Sequence, residues 1–550
     1  MKKIITFILA FCFFALSLAS CDYDIYVAEE ITSKATNTSA TRGTSSVTVP
    51  SSGTSADTKH TVTTHTATIP TMVGTTSMPP IYTPGITTIP NITTMPDIVT
   101  TPTLDVWHNP TPPDGARAGY EDVDFAGYTF TFASPLDNAD GWGDYEVYAE
   151  ENGEGILDSA ISERNTYLFE YYDAFIEVID INSGFLENDF ATGSNNVDIV
   201  LDRYNIQAKT AENYLNFHDI GLKLENPCWD QNFIKDMTVN GKLYAMLGSF
   251  SLTAFDATWV MFFNKEVQES NEQLRDVNFY NLVYNNEWTL DKFFELSKLA
   301  RRDDGNGEME IGTDIFGFIS DTNSIRGLYF GAGQSYVTST TYANGYTMFE
   351  SAFTEAAENA TSKIIDIYAH ESTAIASRSI CEAQTRRNGA LFNADVLRQL
   401  SYYAGKQGEN PEPASVGVLP FPKLSPEQAD YKHYVDNRAI YMYIPKNCFD
   451  IERMRNFLEL YAYHSFFTVY NSYFNLYKYT YTVDTESPEM IDTIIQSRSF
   501  DLAYQYNLAA ADVKYTDGVI SQKNIISEYG SDLSREIVTA ANAYRESLPD

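Results

Sequence analysis

Apolar and polar residues alternate from Asp124 to Ser134, which is typical of a strand with one buried face. From Leu157 to Phe175 the apolar residues instead recur at helical spacing and predict a helix. Two short apolar runs, Phe175–Ile181 and Val197–Asp202, predict further strands. Strands and a helix in this order predict an α/β unit with parallel pairing and a right-handed crossover.

The loops after these predicted strands carry the first candidate binding residues. In open α/β sheets the ligand crevice lies at the carboxyl ends of the strands. Trp142 lies in the polar loop after the first strand, and Asp202, Arg203 and Tyr204 follow a later one. We therefore expect these four side chains near a cleft.

The pattern continues with a polar turn, a strand, a crossing segment and a second strand between Asn240 and Val267. The crossing contains Asp256 and is followed at once by Trp259. Thr289 then precedes an amphipathic stretch and fits a helix N-cap, with Asp291 in the first turn.

The N-terminus has the pattern of a secretory signal. Lys2 and Lys3 precede an apolar run, Ile4–Ala19, that is too short for a comfortable membrane span. The run ends in "LASC", which resembles the lipobox of bacterial lipoproteins. This resemblance implies removal of residues 1–20 and lipid anchoring through Cys21. An ordinary signal peptide with an incidental cysteine is the alternative.

Residues 21–115 are rich in Thr, Ser and Pro and carry few large apolar side chains. Such a segment buries too little surface to offset its ordering entropy, so we expect a disordered stalk that is open to O-glycosylation. The rest of the chain is longer than one compact core usually is, which predicts two lobes.

Composition narrows the classes of partner. Lys and Arg number 37 against 74 Asp and Glu, and the formal net charge of −37 disfavours nucleic acid and anionic lipid surfaces. Aromatic residues make up 14% of the chain, and an excess of Tyr and Trp suits a surface that stacks on sugars.

No motif in the sequence indicates catalysis or a cofactor. His-Glu-x-x-His, Gly-x-Ser-x-Gly and the phosphate-binding Gly-x-x-x-x-Gly-Lys-Ser/Thr are all missing. The loop at 303–314 has part of the spacing of a calcium loop, but Arg302 occupies the first ligand position. Cys228, Cys381 and Cys448 are odd in number, which leaves open one disulfide with one free thiol. No His or basic residue adjoins Cys228, so we predict a packing role for it.

Several stretches resemble the extracellular solute-binding proteins of bacterial ABC importers, in the sugar-binding family 1. The resemblance spans 120 to 540, and its order and spacing make it specific. The matching stretches include "ILDSAISERN", "NPCWDQNF", "NGKLYAMLGSF", "NNEWTLDKFFEL", "RRNGALFNADVL" and "VGVLPFPKLSPEQADY".

The resemblance implies two α/β lobes of the type II periplasmic-binding-protein fold, which close about a hinge on a solute. The expected crossings between lobes lie near 253–258, 386–389 and 436–441. The expected lobes are 116–254 with 388–437, and 255–387 with 438–550.

The implied function is capture of a carbohydrate, expected to be an oligosaccharide, for uptake through an ABC permease. The protein is expected to be an extracellular monomer, tethered to the membrane by its lipid, with no enzyme activity, cofactor or metal. Two alternatives stay open. One is a secreted glycan hydrolase, because an acid-rich chain offers many carboxylate pairs. The other is a surface lipoprotein or adhesin without a small ligand.

The candidate ligand-binding residues are rings that could stack on sugar faces and charged groups that could bind hydroxyls. They are Trp142, Asp202, Arg203, Trp229, Asp256, Trp259 and Tyr329. The "LDRY" stretch resembles the sugar-contacting Asp-Arg segment of maltose-binding proteins, although the glycines that follow it there are missing here.

Overall fold

The computed structural model describes residues 115–136, 146–147, 155–203, 208–407 and 412–549. The predictions for Cys21, for the stalk before residue 115, for Trp142 and for Tyr204 lie outside these residues. The strands are β1 (Tyr128–Ser134), β2 (Ala174–Asp180), β3 (Ile199–Arg203), β4 (Trp259–Asn264), β5 (Phe316–Ser320), β6 (Val337–Thr341), β7 (Thr347–Ser351), β8 (Thr373–Ile375), β9 (Ala390–Val396), β10 (Val416–Leu419), β11 (His433–Tyr434), β12 (Ile440–Tyr443) and β13 (Arg498–Ser499).

Helices surround and connect these strands. They are α1 (Ile156–Tyr172), α2 (Phe185–Thr192), α3 (Gln231–Met237), α4 (Leu252–Asp256), α5 (Lys265–Ser270), α6 (Phe279–Tyr284), α7 (Leu290–Ala300), α8 (Ser324–Gly331), α9 (Glu355–Ala369), α10 (Arg378–Arg386), α11 (Gln399–Tyr403), α12 (Ile451–Ser465), α13 (Asn471–Leu476), α14 (Ser487–Gln496), α15 (Leu502–Gln505), α16 (Ala511–Ile520) and α17 (Ile525–Ser547).

Two sheets share one strand order. The first is β12–β3–β1–β2, and the second is β10–β4–β9–β5–β8. Each sheet contains three parallel strands, and the earliest of them in the chain lies in the middle. This strand is β1, between β2 and β3, in the first sheet and β5, between β8 and β9, in the second. The next neighbour is antiparallel and follows a crossing from the other body: β12 in the first sheet and β4 in the second. The chain is therefore interleaved between two α/β bodies.

Among the described residues, three segments carry the chain between the sheets. The short helix α4 leads from the first sheet to β4, and residues 435–439 lead from β11 to β12. The third is a continuous helix from 451 to 481 with π-helical turns at Phe466–Tyr470 and Tyr477–Tyr481. Its start stacks on β1 of the first sheet, and Tyr473 further along joins the apolar cluster of the second sheet.

These pairings correct the expected lobe boundaries. β9 and β10, expected in lobe one within 388–437, pair with β4 in the second sheet. β12, expected in lobe two within 438–550, pairs with β3 in the first sheet. The expected crossing at 386–389 is instead the turn between α10 and β9. β9 is buried along its whole length, and a fully buried strand has no polar face to indicate its sheet.

Local predictions fare better than these long-range ones. Thr289 caps α7 by accepting the Lys292 N–H, which confirms the predicted N-cap. Cys228 is fully buried, and burial raises the pKa of its thiol, which confirms a packing role. All three described cysteines are free, so the disulfide left open by the sequence is not formed. In the described part of the chain, no helix combines the length and apolarity needed to cross a membrane.

Candidate functional site

The carboxyl ends of the parallel strands of the second sheet form one edge. Ser320 at the end of β5 pairs with Ile375 of β8 and with Ala394 of β9. β4 begins at the same edge, because Trp259 pairs with Val396. This edge therefore receives a crossing from the first sheet, and it is where a ligand crevice is expected in such a sheet.

Two buried carboxylates at this edge each hold a partly exposed arginine. Arg378 Nε lies 2.9 Å from Asp395 Oδ1, and Arg438 Nε lies 2.9 Å from Asp436 Oδ1. Each arginine side chain is 28% exposed, whereas each carboxylate is at most 4% exposed. The pairs thus fix two arginines whose side chains are still partly exposed.

Asp395 has an unusual titration for an aspartate. Burial raises the pKa of Asp395 to about 6 against the opposing charge of Arg378, and the negative charge of Asp321 adds to the rise. Asp321 follows β5 and accepts the backbone N–H of Asn323 at 2.8 Å. Ionising both Asp321 and Asp395 at this edge therefore costs free energy. Such an edge disfavours an anionic ligand and favours one that donates hydrogen bonds to the carboxylates.

Asp436 is held by the ring of Trp259 as well as by Arg438. Trp259 Nε1 donates to Asp436 Oδ2 at 3.0 Å, and the indole stacks on Tyr434 with ring centroids 5.6 Å apart. Burial alone would raise the pKa of Asp436, but Arg438 and Trp259 hold it well below its ordinary value. Asp436 therefore stays an anion, and the crossing segment is tied to β4.

Arg326 supports the same edge from α8. Its Nε and Nη2 donate to the Asp512 carboxylate at 2.9 and 2.5 Å, and its Nη1 donates to Asn323 Oδ1 at 2.9 Å. The guanidinium also lies over the ring of Tyr504, 5.1 Å from its centroid. Arg326 thus orients the loop after β5, which carries Asp321, against the C-terminal helices.

The first sheet contributes the ends of β1 and β3. β1 ends at Ser134, whose hydroxyl is buried and has no hydrogen-bond partner within the described ranges. β3 ends at Asp202 and Arg203, and the Arg203 N–H donates to Asp202 Oδ1 at 2.7 Å. Ile440, two residues after Arg438, pairs with Arg203. The end of β3 therefore lies next to the strand that follows the ion-paired crossing.

The structure brings some of the sequence-predicted residues to this junction and places others in the core. Asp202, Arg203 and Trp259 lie where strands meet the crossings. Trp229 is buried beside Phe250.

Two more predicted residues have partners of their own. Tyr329 is fully buried and stacks on Tyr336. The Asp256 carboxylate accepts the hydroxyls of Tyr473 and Tyr477 at 2.7 and 2.6 Å. A role in ligand binding stays a prediction for all of these residues, as it does for Trp142.

Sequence reasoning missed both ion pairs. Asp436 and Arg438 lie within the expected crossing at 436–441, and this position alone could have marked them as candidates. Asp395 lies next to the last residue of a buried strand. The same criterion, a charged residue at the end of a strand, is the one by which Asp202 is chosen. Arg378 has no signal of its own, because only the fold brings α10 to the end of β9.

The loop at 303–314 lies at the opposite edge of the second sheet. Asp303, Asp304 and Asp314 approach one another there. Asp314 accepts backbone N–H groups of Asp304 and Glu310 at 2.9 and 2.7 Å, and Asp303 accepts those of Gly305 and Gly307. These carboxylates organise the loop itself. A surface pocket of about 640 Å³ next to it contains Arg387 and is remote from the ion pairs.

Comparison with known proteins places the fold. No protein-family model matches the chain, and no curated protein is similar to it in sequence. The solved cyclic α-maltosyl-1,6-maltose binding protein from Arthrobacter globiformis matches with a TM-score of 0.50 at 12% identity, over 76% of this chain and 99% of that one. The chain has the two-lobed fold of periplasmic binding proteins. The sugar-binding protein MalE from Xanthomonas citri also matches, with a TM-score of 0.48 at 9% identity over 76% of this chain and 98% of that one.

Proposed function

We propose that the protein captures a carbohydrate between its two lobes and delivers it to an ABC permease. The observation that carries this proposal is the polar, ion-paired edge at the carboxyl ends of the second sheet, where the crossings meet in a periplasmic-binding-protein fold. The structural neighbour from Arthrobacter globiformis is a cyclic α-maltosyl-1,6-maltose binding protein, which supports an oligosaccharide as the solute.

The chemistry of the edge suits hydroxyl groups. Guanidinium groups that are already paired with carboxylates carry little net charge, yet they still donate directional hydrogen bonds. We assign Arg378 and Arg438 as donors to the solute, and Asp202 and Arg203 as further contacts from the first sheet. Trp259 acts by holding Asp436.

Melting temperature across a panel of solutes tests the proposal. The panel contains maltotetraose, cellotetraose, xylotetraose, mannotetraose and the acidic tetragalacturonate. A bound solute at about 100 times its dissociation constant stabilises the folded protein by roughly 2.7 kcal/mol, which is a clear shift. A panel in which no member raises the melting temperature would contradict carbohydrate capture.

Arg378→Met tests the site itself. The variant loses a charge-assisted donor, so affinity for the best panel member should fall by about 10- to 100-fold. Arg387→Met is the matched control, because Arg387 directly follows the same helix but lies at the opposite edge of the sheet. Equal affinities for both variants would remove Arg378 from the site.

We further propose that Cys21 tethers the protein to the outer face of the membrane. A lipid on this cysteine and the long Thr/Ser/Pro-rich segment after it would hold the lobes at a distance from the bilayer. Cys21→Ser should move the protein from the membrane fraction to the soluble fraction. An unchanged distribution would contradict the anchor.

A further inference from the structure

Arg498 lies beside the first two crossings and close to the first sheet. Its backbone is in β13, which pairs in parallel with β11 directly before the second crossing. Its guanidinium lies over the ring of Phe255 in α4, the first crossing, 4.8 Å from the centroid. Nη2 donates to Asp230 Oδ2 at 2.5 Å, and Asp230 is the N-cap of α3.

The helix α3 also contacts the residues on both sides of β13. Asn232 Nδ2 donates to the Gln496 carbonyl at 2.9 Å, and the Phe500 N–H donates to Asp236 Oδ2 at 3.1 Å. The backbone of Asp230 is in turn bonded to Leu247, next to the first sheet. Arg498 is therefore part of a contact between elements of both bodies, beside the hinge.

Most of the donor capacity of Arg498 is unused. A guanidinium has five N–H donors, and the side chain of Arg498 is only 6% exposed. Nε and Nη1 are both buried and, within the part of the chain that the structure describes, neither has a hydrogen-bond partner. The indole N–H of Trp229, one residue before Asp230, is likewise buried and has no hydrogen-bond partner among the described residues.

Unpaired N–H donors inside a protein lower its stability unless an acceptor binds them. A buried donor left without a partner carries the full desolvation penalty of that group, and the penalty is larger when the group is charged. Buried donors without partners are rare in native proteins and need an explanation. Beside the crossings between the two lobes, a bound solute would supply the missing acceptor.

We propose that Arg498 is a solute-contact residue, with Nε and Nη1 donating to oxygen atoms of the bound carbohydrate. Asp230 already neutralises the guanidinium and would repel a second anion, so the acceptors are uncharged hydroxyl or ether oxygens. Arg498 thereby selects a neutral saccharide over an acidic one. This inference rests on the proposed function, since it names a further contact to the same solute.

Calorimetry with the panel member that gives the largest melting shift tests the inference in the full-length protein. Arg498→Met removes both free donors and should weaken binding at least tenfold. Arg498→Lys keeps the charge next to Asp230 but loses the fixed Nε and Nη1 donors, so it should weaken binding as well. Arg386→Met is the matched control, because this arginine is similarly buried but pairs with Glu382 in the last turn of α10, at the opposite edge of the second sheet.

The outcomes separate the two proposals. A panel member that binds wild type and both Arg498 variants equally would overturn the role of Arg498 and leave carbohydrate capture intact. If Arg498→Met does not fold, Arg498→Lys decides. Binding of tetragalacturonate as tight as that of the neutral oligosaccharides would overturn the selection against acidic sugars. A panel without any binder overturns carbohydrate capture and this inference together.

Discussion

At the scale of single residues, Asp395 shows how burial and charge compete. Its carboxylate is nearly inaccessible and lies 2.9 Å from Arg378 Nε, a pairing that by itself favours the charged form. Burial outweighs this pairing and raises the pKa to about 6, and Asp321 adds to the rise. An aspartate in an unfolded chain titrates near 3.9. The folded protein therefore binds this proton more tightly than the unfolded chain does.

The sign of the resulting pH dependence follows from linkage. A carboxyl whose folded pKa is raised stabilises the protein most below about pH 4, and this contribution is lost as pH rises through about 6. We expect the unfolding free energy of wild type, minus that of Asp395→Asn, to fall by about 1–3 kcal/mol between pH 4 and pH 7. Urea denaturation at several pH values measures this difference. A constant difference across the range would contradict the raised pKa.

The role of a single residue could be predicted from the sequence where its partner lies only a few residues away in the chain. The cap at Thr289 depends on a backbone N–H three residues later, and the sequence contains that information. The pairing of Arg378 with Asp395 depends instead on the fold, which brings α10 beside β9. In a chain with 74 acidic residues, no pattern singles out Asp395 in advance.

At the scale of elements, the helix from 451 to 481 is the least expected feature. It begins against the first sheet, where Phe457 stacks on Phe130, and it continues into the second. The π-helical turn Phe466–Tyr470 lies between these two parts. Such turns are frequent at functional sites. The Asp256 carboxylate binds Tyr473 and Tyr477 just beyond it, so α4 and the helix are joined at the hinge.

Removing these tyrosine hydroxyls should loosen the joint. Tyr473→Phe and Tyr477→Phe each delete a charge-assisted hydrogen bond to a buried carboxylate, and each should lower the unfolding free energy by about 1.5–3 kcal/mol. Tyr479→Phe on the same helix is the control, because Tyr479 is 70% exposed and should change stability by less than about 0.5 kcal/mol. Chemical denaturation of the three variants gives the comparison. If Tyr479→Phe costs as much as the others, the bonds to Asp256 are not the cause.

Element types were predictable, whereas their sheet membership was not. The alternation before Ser134 and the helical spacing after Leu157 correspond to β1 and α1. β9 and β12 are buried throughout, so their side chains fit the core of either sheet equally well. Which sheet they join is decided by the crossings, and the third crossing is a helix that carries no break signal such as Pro.

At the scale of the whole molecule, the two bodies also touch away from the hinge. Asn240 lies in the turn that leads to Met246, which bridges to the first sheet. Thr347 lies in the β6–β7 hairpin, and Arg545 of α17 bonds its carbonyl at 2.9 Å. The Asn240 N–H donates to Thr347 Oγ1 at 2.9 Å, and the Thr347 N–H donates to Asn240 Oδ1 at 2.8 Å. This reciprocal pair favours the present arrangement of the lobes.

Weakening that pair should therefore weaken solute binding at a distance. Asn240 has a positive φ of 52°, so Asn240→Gly fits the backbone and removes only the side-chain acceptor. Loss of one hydrogen bond costs about 1 kcal/mol, which corresponds to a roughly fivefold loss of solute affinity if binding requires this arrangement. Asn507→Gly, at an exposed position with a φ of 50°, controls for the change of residue type. Calorimetry on both variants decides, because equal affinities would mean that binding does not depend on this contact between the lobes.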